Sequence, residues 1–459
     1  MVDFRGPVAV IGAGIAGLTA ARFLRCRGIP FILFESGPKV AGLAESFQDP
    51  VGFSYDFGAH FITNRLAAAV GIGAECHTVE RYGESVFFDG RNYKYPFGLL
   101  GNPKFLTGGV ASRLRGKREE SSDSAAGWFR TRYGPTLADS IVLPLLEAWS
   151  GVPACDLAPS VGQKLQHSIL RTMVLKLTSR MTGRAVACGY SHEMPEGTNV
   201  WHVYPKGGVS RLCKRLADGI GDALRLNSRV EEIRVASGRV VAVRVNGEEM
   251  AVSGAVSTAP VSILAQLVTG TEVLGPLRNF RYRPMVFVNL RLEGRGLLAD
   301  TMVWTPDKGF PFFRLTEAPR SMPWLAPEGK TIITADIGCD VGDDVWKMTD
   351  EDLGDLCLKH IEPMIPDVRA RYLGCRALRT PIAYPVFLKS YEEHRLRLHQ
   401  GTGIRGLLSI GRNGEFAHLL MEDVYWRTLR KMRQFVAEAN PHQRVFDPRF
   451  AAPDVPSAA

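Results

Sequence analysis

Three rhythms of apolar and polar residues alternate along this 459-residue chain, and each predicts a different kind of element. Val8 to Ile11 is an unbroken apolar run, the pattern of a short strand buried on both faces. Ala16 to Arg25 then sets small and apolar residues at helical spacing. Gly28 stops that helix, and Pro30 to Phe34 forms a second strand. From Tyr95 to about Pro205 helical periodicity dominates, most clearly in "SAAGWFRTRYGPTLADSIVLPLLEAWSG" and "SVGQKLQHSILRTMVLKLTSRM". Ser121-Ser122-Asp123-Ser124 offers a capped entry to the first of these. Strict alternation returns in "LNSRVEEIRVASGRVVAVRVNGEEMAVSGAVSTAP", with turns expected at Ser237-Gly238 and Asn246-Gly247. "YRPMVFVNLRLEG" and "KTIITADIG" read as further strands, and "DEDLGDLCLKHIEPMI" as an amphipathic helix. Near the end, a strand from Leu407 to Ile410 breaks at Gly411-Arg412. A loop with Phe416 and His418 follows, and Met421-Glu422-Asp423 opens a last helix.

Composition narrows the class. With 45% apolar and 22% charged residues the chain resembles an ordinary globular protein and needs no cross-links to hold a core. The net charge of +9 is mostly scattered, but Arg113-Leu114-Arg115-Gly116-Lys117-Arg118 is a cluster. It reads either as a solvated loop or as a lure for an anionic substrate or membrane surface. No basic stretch is interleaved with aromatics, so nucleic acid is not an expected partner. The eight cysteines are widely spaced and include no C-x-x-C, which argues against a disulfide framework and against a zinc site and fits a reducing cytoplasm. The N-terminus lacks a signal-peptide pattern, and no apolar run is long enough for a membrane span. Peripheral membrane contact stays open, and no metal is expected.

The glycine turn carries the strongest chemical signal. Gly12-Ala13-Gly14-Ile15-Ala16-Gly17 has the G-x-G-x-x-G spacing between a strand and a helix. Gly12 permits the tight turn, Gly14 lets backbone approach a pyrophosphate, and Gly17 lets helix pack on strand. Glu35 ends the second strand, beside Ser36, and is placed to accept the ribose hydroxyls of an adenosine. A second glycine turn, Ala41-Gly42-Leu43-Ala44, precedes Asp56-Phe57-Gly58-Ala59-His60-Phe61.

Together these residues resemble the flavoprotein superfamily of amine oxidases, protoporphyrinogen oxidases, carotenoid-type desaturases and UDP-galactopyranose mutases. Its fingerprint is the glycine hexamer, an acidic strand end, a Gly-Gly turn and a later D-x-G-x-H. This chain departs at one point, having Ala41-Gly42 for Gly-Gly. "VFFDGRNYKYPFG", "WFRTRYGPTLADSIVLPLLEAWSGVPACDLAP", "VYPKGGVSRLCKRLADGI", "AYPVFLKSYEEH" and "IGRNGEFAHLLMEDVYW" extend the likeness in pieces over nearly the whole chain. The resemblance implies FAD and an α/β fold. A Rossmann-like FAD-binding domain would be built from residues 1–95, 203–275 and 400–445. An α+β substrate domain would come from 96–202 and 276–399, and 446–459 would be a frayed tail. Val230 would contact the adenine end, and Gly58-Ala59-His60-Phe61 would run along the flavin ring. The last strand would rejoin the sheet of Val8, with Gly411-Arg412 beside the flavin. Backbone N–H groups at Met421-Glu422-Asp423 would face the flavin's N1–C2=O edge, where negative charge grows on reduction.

His60 is open between a proton-handling role and an orienting or packing one. His192-Glu193 and His202 are open between a substrate pocket and hydrated loops. Tyr95 and Tyr384, each before a proline, fit either an active-site ring or a rigid turn; Trp149 resembles a family tryptophan near the substrate domain and also fits a helix core. Arg412 would serve either the cofactor phosphates or an anionic substrate. No Ser/His/Asp order or nucleophile elbow points to hydrolysis. The leading expectation is hydride transfer from a small organic substrate to FAD, by C–N or C–C oxidation. The alternative is a non-redox nucleotide-sugar mutase, which Gly411-Arg412 resembles, and a third reading is a flavin-binding protein without activity.

Overall fold

The computed structural model describes residues 6–95, 98–105, 123–165 and 169–439. The basic cluster 113–118, Pro96 and the expected tail 446–459 lie outside these residues.

Val8–Ile11 is a strand at the middle of a five-stranded parallel sheet. Phe31–Phe34 and then Leu224–Arg225 lie on one side of it, Gly254–Ser257 and then Leu407–Ser409 on the other. The helix Ile15–Arg25 leaves the first strand and packs between that sheet and the helices Ser210–Ala217 and Met421–Ala439. Its Leu18, Phe23 and Leu24 are fully buried, each stabilising the layer by roughly 1.5–3 kcal/mol. Three stretches remote in sequence thus build one open parallel sheet with the glycine turn at its C-terminal edge, where such sheets bind nucleotides.

A four-stranded sheet lies beside it, formed by Glu248–Ala251, Arg239–Val245, Val230–Ala236 and Val268–Thr269. Its two hairpins turn at Ser237-Gly238 and Asn246-Gly247 with all four residues at positive φ, as the sequence led us to expect.

The second large sheet has seven strands, in the order Tyr372–Pro385, Tyr282–Glu293, Lys330–Gly338, Arg314–Thr316, Met302–Trp304, Glu84–Phe88 and Arg91–Lys94. This moves one expected boundary. Residues 84–94, assigned above to the first segment of the nucleotide domain, pair through Glu84–Phe88 with Met302–Trp304 and extend the other sheet. An apolar alternation predicts a strand but not its partner, because pairing is a long-range choice. The helices Ala125–Tyr133, Leu143–Ser150 and Ile169–Thr182 stand where helical periodicity placed them, the first capped by the Ser124 hydroxyl. Asp350–Ile361 begins with a Thr349/Asp352 capping box. The loop expected after Ile410 instead opens with one helical turn, Gly411–Gly414, closed by Glu415 N–H donating to the Gly411 carbonyl at 2.9 Å.

Candidate active site

A single cavity of about 2480 Å³ runs from the C-terminal edge of the parallel sheet into the seven-stranded sheet and the helical segment. Drug-sized ligands occupy roughly 300–1,000 Å³, so there is room for a dinucleotide and a second molecule.

The outer end is made of backbone and small residues. Gly12 has φ +94°, and a Cβ there would fall on the Thr258 hydroxyl, which itself donates to the Ile11 carbonyl at 2.8 Å. A Cβ on Gly17 would strike the Gly12 carbonyl, so that glycine serves helix–strand packing. Gly14 differs: the nearest protein atom to a Cβ there is the Ala41 carbonyl oxygen at 3.9 Å, and the residue borders the cavity. Glu35 spends its carboxylate on the loop, accepting the Ala13 N–H at 2.7 Å, the Gly37 N–H at 2.8 Å and the Ser36 hydroxyl at 3.2 Å. It therefore fixes the glycine turn as well as bordering the cavity with Ser36. Ala41, the departure noted above, holds φ +108° with its N–H on the Ala13 carbonyl at 3.0 Å. An L-residue there carries strain of about 1 kcal/mol or more. Gly12, Gly14, Ile15, Ala16, Gly42, Leu43, Ala44 and Val230 line the cavity, whereas Ala13 and Gly17 lie behind it.

The inner end is made of side chains. Ala59, His60, Phe61, Gly411, Arg412 and Met421 line it, and Gly58 stands behind with Phe287 3.1 Å from where its Cβ would be. Burial, with Arg412 and Arg314 nearby, pushes His60 down to about 4, so its imidazole is neutral at physiological pH. Its Nδ1 is buried and has no hydrogen-bond partner among the described residues. Arg412 lies 4.6 Å over the Tyr384 ring and 3.4 Å from His418 Nε2, and burial pushes its pKa down. Among the described residues no carboxylate pairs with it. Arg314 pairs with Asp336, which is fully buried. The deep end thus holds two cations, of which only Arg314 has a carboxylate partner among the described residues. Behind them Asp56 accepts the Tyr204 hydroxyl at 3.0 Å, and burial pushes its carboxyl up to about 7.

Several open readings now have places. Tyr384 stacks on His418 at 5.7 Å, and Trp149 lies 5.3 Å from Tyr384; all three line the cavity, so Trp149 is more than helix core. His202 lines it too, 4.7 Å from the Phe61 ring, and burial pushes it down to about 4. His192 lines it, but Glu193 is taken up by Arg427 at 2.9 Å and by Arg430. Tyr95 also borders the cavity.

Glu422 and Asp423 do not reach the cavity. Glu422 accepts Arg65 Nε at 2.7 Å and Trp426 Nε1 at 3.3 Å. Asp423 accepts the Ser191 hydroxyl at 2.7 Å and the backbone N–H groups of His192 and Glu193. Both carboxylates pin the start of the last helix to neighbouring segments, while Met421 lines the cavity. Arg314 and Asp336 carry no motif, because each is an ordinary strand residue until the sheet brings Arg314 to Gly58 and Asp336 to Arg314.

Comparison with known proteins fits this geometry. The profile of the flavin containing amine oxidoreductases matches residues 15–391. Coproporphyrinogen III oxidase of Bacillus subtilis (strain 168) is 23% identical over 412 residues, 80% of this chain and 84% of that protein. The lycopene-forming phytoene desaturase of Pseudescherichia vulneris is 28% identical over 262 residues, 51% of each chain. A crystal structure of reduced UDP-galactopyranose mutase superposes with a TM-score of 0.75 at 17% identity, covering 94% of both chains, a likeness of fold alone. The chain belongs to the flavin containing amine oxidoreductase family and is an FAD-dependent oxidoreductase. The cradle suits that cofactor: Gly14 leaves open the space a pyrophosphate needs, and one cavity joins Glu35 and Val230 to His60 and Arg412. No helix among the described residues is long and apolar enough to cross a membrane.

Proposed function

We propose that the protein oxidises a largely apolar organic molecule carrying an anionic group, removing a hydride from a C–N or C–C unit held in the inner chamber. FAD, when bound, supplies the hydride acceptor. The observation that carries the anionic group is Arg412, a half-buried guanidinium lining the cavity without a carboxylate partner among the described residues, beside an Arg314 already matched to Asp336. A cation withdrawn from water and left unpaired is costly, so an incoming carboxylate or phosphate is favoured there. Around it Phe61, Leu145, Trp149, Phe313 and Tyr384 give an apolar wall that excludes water and strengthens the attraction. His60, kept neutral by its surroundings, presents an imidazole able to hydrogen-bond and orient the substrate without adding a third positive charge. The cofactor-binding residues in this reading are the glycine turn, Glu35, Ser36, Gly42 to Ala44, Val230, Gly58 to Phe61, Gly411 and backbone at Met421.

Anaerobic mixing of the yellow protein with anionic amines, porphyrinogens or polyenes should bleach the flavin absorbance for one class. A protein that stays yellow with all of them, and turns over a nucleotide-sugar only after dithionite reduction, would be a mutase instead.

A further inference from the structure

The helix Ile169–Thr182 exposes four large apolar side chains: Met173 at 51%, Val174 at 50%, Leu177 at 58% and Met181 at 79%. At about 100° per residue these positions fall within one arc of about 100°. Single exposed apolar residues are common on protein surfaces, but a contiguous row of them marks a docking surface. Charge follows the same geometry. Lys176 and Arg180 run along one edge of the arc, Arg171 stands beyond the other, and the helix contains no Asp or Glu. None of the three cations pairs with a carboxylate among the described residues. Arg171 instead reaches the Glu196 carbonyl, and Lys176 donates to the Tyr95 carbonyl at 2.9 Å. The reverse face is already used: Leu175 is buried, Thr172, Lys176 and Ser179 line the cavity, and Arg180, though exposed, borders it as well.

An apolar stripe edged by cations, on a helix too short to span a bilayer, has the form of a helix lying in the membrane interface. We propose that Ile169–Thr182 docks this protein on an anionic lipid surface. Met173, Val174, Leu177 and Met181 would enter the acyl boundary, while Arg171 and Arg180 meet headgroup phosphates. The net charge of +9 favours the same surface. Docking in this pose sets one wall of the cavity directly above the lipid.

The test is co-sedimentation of the full-length, FAD-loaded protein with phosphatidylcholine vesicles, with and without phosphatidylglycerol. We expect binding to the anionic vesicles, weakened by added salt. The double variant Leu177→Asp/Met181→Asp should bind at least about 100-fold more weakly, from the two lost apolar insertions. Arg180→Gln should cost about fivefold. Flavin content and thermal midpoint should match the parent, because these side chains are exposed. The proposal is overturned if the parent stays in the supernatant with anionic vesicles, or if the double variant sediments like the parent. It is equally overturned if the stripe closes a dimer, seen as concentration-dependent self-association that the double variant abolishes without any vesicle binding. No turnover is measured, so the outcome is independent of the proposed reaction.

Discussion

The two ends of the cavity are built on different principles. At the outer end the working surface is backbone, shaped by residues whose side chains are small or absent: Gly12, Gly14 and Gly17, with Glu35 bracing the turn through the Ala13 and Gly37 N–H groups. At the inner end the working surface is side chains drawn from separate segments. His60, Arg314, Tyr384, Arg412 and Trp149 meet there across two sheets and a helix. A phosphate-bearing cofactor recurs unchanged and can be met by a fixed loop. A substrate varies between relatives, and its chamber is assembled from parts that can be exchanged one by one.

The comparison breaks most visibly at Gly14. Gly14→Val should abolish FAD retention while the fold survives, since no protein atom lies closer than 3.9 Å to the new Cβ. The flavin-to-protein ratio after gel filtration, set beside far-UV circular dichroism, reads this directly, and normal flavin content would remove the assignment of the outer end. At the inner end Arg412→Met should keep flavin but lower kcat/KM for the anionic substrate by about 100-fold, the worth of a buried charge-assisted contact. Thermal stability should hold or rise, because an unpaired, half-buried cation is replaced by an apolar chain of similar length. A large loss of stability would instead mean that Arg412 holds the fold.

Asp56 sharpens the contrast through pH. Its folded pKa of about 7 lies above its ordinary value of 3.8, so the folded state holds the proton more tightly. The stabilisation is complete below about pH 4 and is lost as pH rises through 7. Between pH 5 and 8 this group should cost about 2–3 kcal/mol of stability. Asp56→Asn should flatten that loss, measured as denaturation midpoints at the two pH values; parallel curves for variant and parent would sink the assignment. The smallest effect belongs to the outer end. Ala41→Gly releases the φ +108° strain but frees the unfolded chain, for a net gain of about 1 kcal/mol. Equilibrium denaturation of the two proteins checks it, and a destabilised variant would show that the Ala41 methyl packs usefully.

The outer end was legible in advance because its constraints are local. A strand, a tight turn and a helix within ten residues demand glycines at fixed offsets, and Glu35 follows one strand later. The same locality made the hairpin turns at Ser237-Gly238 and Asn246-Gly247 readable, since only certain residues accept positive φ. The inner end was legible only in part. His60 and Arg412 were named from motifs, but Asp336 and Arg314 had no local signature, and Trp149 was open between a place near the substrate domain and a helix core. Glu422 and Asp423 were named for their backbone; what their carboxylates do, binding Arg65 and Ser191, could not be read, because those partners lie far away in sequence.

The sequence by itself determined the nucleotide turn, the strand and helix periods and the surplus of positive charge, because each follows from steric or hydrophobic rules acting over a few residues. Tertiary structure alone decided that residues 84–94 join the seven-stranded sheet. It also decided that of two neighbouring arginines only Arg314 meets a carboxylate among the described residues, and that one helix turns its apolar stripe outward while its other face closes the cavity. These depend on which surfaces meet, and strand pairing and burial are settled by the whole chain packing at once.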